Sequence, residues 1–293
     1  MELPLESVPN VSEGRDAATI DAIAAALAAH ARLLDVHSDA DHNRSVFTLV
    51  GSADELADAL SACVGEAKAR IDLRTQTGVH PRVGAADVVP IVPLRPADMP
   101  RARAAALAVA ERLARDHALP VFLYGELGRA RHDLRRGGPA ELQRRIDSGE
   151  LAPDFGPTTL DPAAGAVLVG ARAPLIAFNV NLRGGRIDDA RAIARVVREL
   201  DGGFPGVRAL GLDLPAAGRV QVSMNVEDWE AAALHEILAR IEAEAGRLGV
   251  EVEGSELVGL MPAGAAAAAA GALLRIDGFD ESRVLELRLL EDV

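Results

Sequence analysis

The order in which strand and helix patterns alternate constrains this chain more than any other feature, because the same order occurs twice. In the first half an apolar segment over 3–8, ending at Pro9, precedes a helical stripe over 16–31 with Ile20, Ile23, Ala24 and Leu27 on one face. Two strand patterns follow, over 33–36 and 45–50, joined by the polar stretch HSDADHNR. Ser52-Ala-Asp-Glu55 is a capping box, opening a helix whose apolar side is Leu56, Leu60, Val64 and Ile71. The apolar run Asp87-Val-Val-Pro-Ile-Val92 completes a β-α-β-β-α-β unit, the split βαβ plan. Pro90 inside that run predicts an edge position or a bulge, because proline has no N–H to give a ladder. The second half repeats the plan with a strand over 175–182, a helix over 187–200, a hairpin of 207–212 with 219–225, a helix over 229–248 and a strand from Val250. Trp229 is expected to anchor the start of that last helix. Between the copies, a helix over 97–117, a strand over 120–124, a partly helical arginine-dense stretch over 129–151 and a strand over 166–170 extend the first unit. The expected fold is α/β (α+β): two ferredoxin-like split βαβ subdomains with mixed or antiparallel sheets and helices outside, divided as 1–174 and 175–293.

Composition narrows the function classes. The formal net charge of −13 and the 3% aromatic content argue against a protein that tracks phosphates or stacks bases. A local basic pocket for a small anion is still allowed. Cys63 falls on the apolar stripe of its helix, so it is expected in the core, and a single cysteine makes no internal disulfide. The N-terminus lacks a signal-peptide profile and no apolar run reaches membrane-spanning length, which predicts a cytoplasmic protein with no membrane partner.

Topology then singles out one place. In a split βαβ sheet the loop after the first strand, the hairpin and the loop before the last strand emerge at the same sheet end. Here these are PNVSEGRD, HSDADHNR and TQTGVHPRVG, all polar and the first and third containing glycine. In the third, His80 lies between Gly78 and Gly84 beside Pro81 and Arg82, a setting that holds an imidazole in one orientation for general acid/base work. The hairpin brings Asp39, Asn43 and Arg44 to the same mouth. His37-x-Asp-x-Asp-His42 contains ligand types but neither zinc nor calcium spacing, so no metal is expected. No Walker loop, nucleophile elbow or dinucleotide fingerprint is present. Imidazole, carboxylates and guanidinium groups suit proton transfer at a nitrogen nucleophile, with arginine holding a carboxylate substrate.

Several segments together resemble the formiminotransferase family. They are Val8-Pro-Asn-Val-Ser-Glu-Gly14, Leu34-Asp-Val36, Asn43-Arg-Ser-Val-Phe47, Gly78-Val-His-Pro-Arg-Val-Gly-Ala-Ala-Asp87 and Tyr124-Gly-Glu126. Pro153-Asp-Phe-Gly-Pro157, Gly170-Ala-Arg172, Leu175-Ile-Ala-Phe-Asn-Val-Asn-Leu182, Gln221-Val-Ser-Met-Asn225 and Ser255-Glu-Leu-Val-Gly-Leu260 continue the likeness in order along nearly the whole chain. The resemblance implies transfer of a formimidoyl group from N-formimidoyl-L-glutamate to N5 of tetrahydrofolate, a co-substrate, by a homodimer whose two subdomains turn their sheets toward each other around the folate. It makes His80 the catalytic base. Its folate segment corresponds to Gly156, Pro157, Thr158, Thr159, Leu160, Asp161, Pro162, Ala163, Ala164 and Gly165. Asp39, Asn43, Arg44, Arg82 and Arg172 are the candidate substrate contacts, and Asn179 and Asn181, which share a sheet face, candidate folate contacts with Gln221. Mammalian family members carry Asp where this chain has His37, and the segment between Glu126 and Pro153 is shorter here. Transfer of a formyl group, transfer to another acceptor, and folate binding without turnover are the alternatives.

Overall fold

The computed structural model describes residues 3–290 and divides into two compact units, with the break between Ala173 and Pro174. In the first unit the chain begins with β1 (Leu5–Ser7) and β2 (Asn10–Val11), one strand path interrupted at Val8 and Pro9. Pro9 therefore does not end the strand: both pieces pair with the same two neighbours. Helix α1 (Ala17–Ala28) follows, then the hairpin strands β3 (Arg32–Asp39) and β4 (Arg44–Gly51). Helix α2 (Ala53–Arg70) opens with both bonds of its capping box, Glu55 N to Ser52 Oγ at 3.3 Å and Ser52 N to Glu55 Oε2 at 2.8 Å.

Strand β5 (Ala86–Pro93) completes the unit, which is extended by α3 (Met99–His117), β6 (Val121–Gly125), the short α4 (Arg131–Arg135), α5 (Gly138–Asp147) and β7 (Val167–Ala171). The sheet order is β3-β4-(β1, β2)-β5-β7-β6, antiparallel up to β5 and parallel beyond it. Strand β7, last in sequence, thus sits between β5 and β6. Pro90 is central, not at an edge. On one side the ladder is broken opposite it, where β1 gives way to β2, so on that side no regular pairing needs its N–H. The hydrophobic side chains of α1, α2 and α3 pack on one sheet face around Leu5, Phe47, Leu49, Leu60 and Val89, with Cys63 fully buried among them. Part of the opposite face is covered by α4 and α5 through Leu134, Leu142 and Ile146 over Val88, Phe122 and Leu168.

The second unit carries β8 (Ile176–Arg183), α6 (Ile187–Val197), β9 (Val207–Leu214), β10 (Arg219–Val226), α7 (Leu234–Leu248) and β11 (Glu251–Val258), followed by α8 (Ala263–Leu274). Its sheet order, β11-β8-β10-β9, is antiparallel throughout and has the ferredoxin-like arrangement. Ile176, Phe178, Val180 and Leu182 point into its core, while Asn179 and Asn181 lie on the other face, as strand alternation requires. Helix α7 starts at Leu234 rather than at Trp229, whose ring packs beside the core and against Gly264.

Candidate active site

The three polar loops meet at one end of the first sheet, tied together by hydrogen bonds. Asn43 is at their centre, fully buried, with φ of 47°, a left-handed conformation that asparagine tolerates better than most residues. Its Oδ1 accepts from Gly14 N at 3.0 Å, and its Nδ2 donates to Thr77 O at 3.0 Å and to Gln76 Oε1. Gln76 Nε2 donates in turn to Glu13 Oε2 at 2.9 Å. Burial works to raise the Glu13 pKa, but hydrogen bonds from Asp16, Arg15, Gln76 and Gly14 outweigh it and hold the carboxyl below its usual value.

Arg82 spans the same junction, donating to Asn43 O at 3.1 Å and His42 O at 2.7 Å. Asp39 Oδ1 accepts from His42 N at 2.6 Å and meets His42 Nδ1 at 2.8 Å. Gly78 lies so close to Arg82 and the His42 carbonyl that a Cβ there collides with both. In the structure the polar groups of Asp39, Asn43 and Arg82 therefore engage the loops themselves and brace the hairpin under His80.

Both ring nitrogens of His80 are engaged. Nδ1 lies 2.8 Å from the Pro81 carbonyl oxygen, which only accepts, so Nδ1 carries the proton. Nε2 then presents its lone pair, 2.9 Å from Arg44 Nη1. Burial first, then the charges of Arg44 and Arg135 and the His42 ring, push the His80 pKa well below the ordinary histidine range. The imidazole is neutral at neutral pH, a base by protonation state.

The surroundings are rich in guanidinium. Arg135, from α4, reaches back to Asp87 in a buried ion pair, and Asp87 Oδ1 accepts from Val83 N at 2.7 Å, fixing the far end of the His80 loop. Arg44 is drawn down to about 9 by burial, then by the fields of Arg135, Arg131 and Arg82 that Asp87 only partly offsets, and it is still a cation at neutral pH. Arg172 is influenced by burial and then by Tyr124, Arg131 and Glu6; its side chain donates to Ala173 O at 2.9 Å. The Nε atoms of Arg44, Arg135 and Arg172 and the Thr48 hydroxyl are buried with no hydrogen-bond partner among the described residues, polar groups whose bonding the chain itself leaves incomplete. Arg131, Arg135, Thr48 and Glu6 were not visible as site residues from the sequence. For the two arginines the signals are the arginine density of 129–151 and the i, i+4 spacing that places both on one helix face; Thr48 and Glu6 carry none.

The segment 156–165 is bonded to the His80 loop along its backbone. Leu73 N donates to Ala163 O at 2.9 Å, Ala85 N to Ala164 O at 2.8 Å and Ala166 N to Val83 O at 3.0 Å. Gly156, Pro157, Thr158, Thr159, Asp161 and Pro162 are exposed, Ala163 is half-buried, and Leu160, Ala164 and Gly165 are buried. Gly156 and Gly165 adopt φ of 84° and 70°, and a Cβ on either strikes the chain's own carbonyls, of Leu119 and Val83. These glycines are required by the packing of the loop itself.

In the second unit Asn179 Nδ2 donates to Glu256 Oε2 at 3.0 Å, and Gln221 Nε2 reaches Asn181 Oδ1 at 3.0 Å and Glu256 Oε2 at 3.1 Å. The Asn179 amide oxygen accepts from Met224 N at 3.2 Å. Gln221 Oε1 is buried without a partner among the described residues. A carboxylate and three amides thus share one sheet face. Glu256 lies inside a segment carrying the family resemblance, yet only the register of β11 on β8 brings it beside Asn179. Among the described residues no three His, Cys, Asp or Glu side chains gather as a metal site.

Residues 4–172 match the family described as "Formiminotransferase domain, N-terminal subdomain", and residues 177–280 match "Formiminotransferase domain". The chain is 39% identical to the glutamate formimidoyltransferase of Streptococcus pyogenes serotype M1, over 98% of each chain. It is 36% identical to the glutamate formimidoyltransferase of Thermoplasma acidophilum over 97% of each. It is also 39% identical to the formimidoyltransferase-cyclodeaminase of Sus scrofa, over 88% of this chain and 50% of that protein.

Proposed function

This chain belongs to the formiminotransferase family, and from that premise we propose that it is a glutamate formimidoyltransferase, carrying the formimidoyl group of N-formimidoyl-L-glutamate to N5 of tetrahydrofolate and releasing glutamate. The observation that supports the chemistry best is His80: a neutral imidazole with its proton fixed on Nδ1, within the fields of Arg44 and Arg135. Nε2 of His80 takes the proton from N5 as that nitrogen bonds to the amidine carbon. When the tetrahedral adduct collapses, the carbon–nitrogen bond to glutamate breaks and the imidazolium returns its proton to the leaving nitrogen.

Arg44 and Arg172, with Arg131 and Arg135, supply charge for the two carboxylates of the donor, and Asp39, Asn43 and Arg82 hold the frame from which Arg44 projects. For the folate we assign the exposed part of 156–165 and the amide face of Asn179, Asn181 and Gln221. There the Glu256 carboxylate matches the amino and ring N–H donors of a pterin. The reading includes a homodimer in the cytoplasm, checked by light scattering and cell fractionation. The deciding assay incubates the protein with tetrahydrofolate and either N-formimidoyl- or N-formyl-L-glutamate. Stoichiometric glutamate and 5-formimidoyltetrahydrofolate from the first donor are expected. Turnover of the formyl donor alone overturns the donor assignment, and folate binding without turnover of either overturns the enzyme.

A further inference from the structure

In the structure His80 is in the right protonation state for a base and has no nitrogen free to act as one. Nδ1 is committed to the Pro81 carbonyl at 2.8 Å, and the Nε2 lone pair faces an Arg44 N–H at 2.9 Å. A guanidinium cannot accept a proton and holds its own at neutral pH, so as long as that contact lasts Nε2 cannot approach a substrate N–H. Arg44 is lightly held at its guanidinium, with the contact to His80 Nε2 as its one side-chain hydrogen bond among the described residues. Its Nε is buried with no partner among the described residues, so the side chain is not locked by a full set of bonds. Its backbone, by contrast, is fixed beside Asn43, the brace of the three loops.

We propose that Arg44 is a positioning residue that caps the His80 base until a donor carboxylate draws the guanidinium away, so that the base is exposed only when the donor is bound. A bidentate carboxylate is a stronger partner for arginine than one imidazole nitrogen, which gives the exchange its direction. The exchange moves the charge of Arg44 off the ring and neutralises it with the carboxylate. The other groups facing His80 stay where they are: Arg135, paired with Asp87; His42, whose ring centroid is 6.2 Å away; and the Pro81 carbonyl. Donor binding therefore raises the basicity of His80 while it frees Nε2. Arg44 acts through His80 and makes no bond to the reacting atoms.

This proposal rests on the donor assignment above, and its test separates the two. Glutamate, the released product, carries the required carboxylates and needs no turnover. In wild-type protein, imidazole nitrogen and carbon signals assigned by His80→Gln are followed against pH with and without glutamate, while calorimetry records whether glutamate binds. Expected is a neutral Nδ1–H tautomer in the free protein and a rise of at least tenfold in the proton affinity of His80 once glutamate is bound. Arg44→Ala should show the raised affinity already when free, with little further response. Arg44→Lys, which keeps the charge but loses the planar fork, should restore a lowered affinity and respond weakly. In rates, the acid limb of kcat should lie at higher pH than that of kcat/KM in wild type, and the two should coincide in Arg44→Ala. Glutamate that binds without altering His80 overturns the cap and leaves the donor assignment standing; absence of glutamate binding overturns both.

Discussion

At the scale of single residues, the site depends on groups whose charge is set by their neighbours. His80→Gln is expected to lower kcat by about 10²–10⁴-fold, the usual range for loss of a general base, with folate affinity unchanged by calorimetry. Because burial and the charges of Arg44 and Arg135 hold its pKa down, His80 remains neutral as the pH falls past 6.5. The acid limb of kcat/KM, which reports the free enzyme, should accordingly lie below pH 6.5, the reverse of what an exposed histidine with a carboxylate partner gives. The Arg135–Asp87 pair is of another kind, with both side chains buried at 9% and 4% exposure. Arg135→Ala strands Asp87 without a counter-ion and should cost about 3–5 kcal/mol in urea denaturation. Adding Asp87→Asn, which keeps an acceptor for Val83 N, should recover much of that.

Elements show where local pattern is sufficient and where it is not. The capping box of α2 is readable from four residues and forms with both bonds, so Ser52→Ala should destabilise the chain by about 1 kcal/mol. The loop over 156–165 is a folate contact by family resemblance, with glycines that would let a ligand approach the main chain closely. Its terminal glycines are instead held at positive φ against the Leu119 and Val83 carbonyls. Gly165→Val should therefore lower Tm by several degrees and weaken folate and glutamate together. A selective loss of folate would show that the glycine meets the ligand directly. Pro90 carries the same lesson in reverse: its residue type argues for an edge or a bulge, and it occupies a central strand beside an irregular stretch of ladder, where β1 breaks into β2.

For the whole molecule the net charge is −13, yet Arg135, Arg131 and Arg82 lie near enough to act on the charge of Arg44, and Arg131 on that of Arg172. With these arginines attracting the donor, raising salt to about 0.5 M, where the screening length shrinks to a few ångströms, should raise the donor KM several-fold and leave kcat nearly unchanged in initial-rate measurements. The order of elements in both units, the core position of Cys63 and the meeting of three polar loops at one sheet end were legible in the sequence. Each follows from periodicity, caps and the chain-reversal rules of a split βαβ sheet, all of which act over a few residues or one connection. Tertiary structure alone decided that β7 enters between β5 and β6, that α4 delivers Arg135 to Asp87, and that Asn43 and Arg82 turn inward to brace the hairpin. It also decided which nitrogen of His80 holds the proton and which one meets Arg44. Those outcomes depend on which charged groups, far apart in the chain, are desolvated together. The energy of such a meeting is set by distance and burial in three dimensions, and no local pattern of residues encodes it.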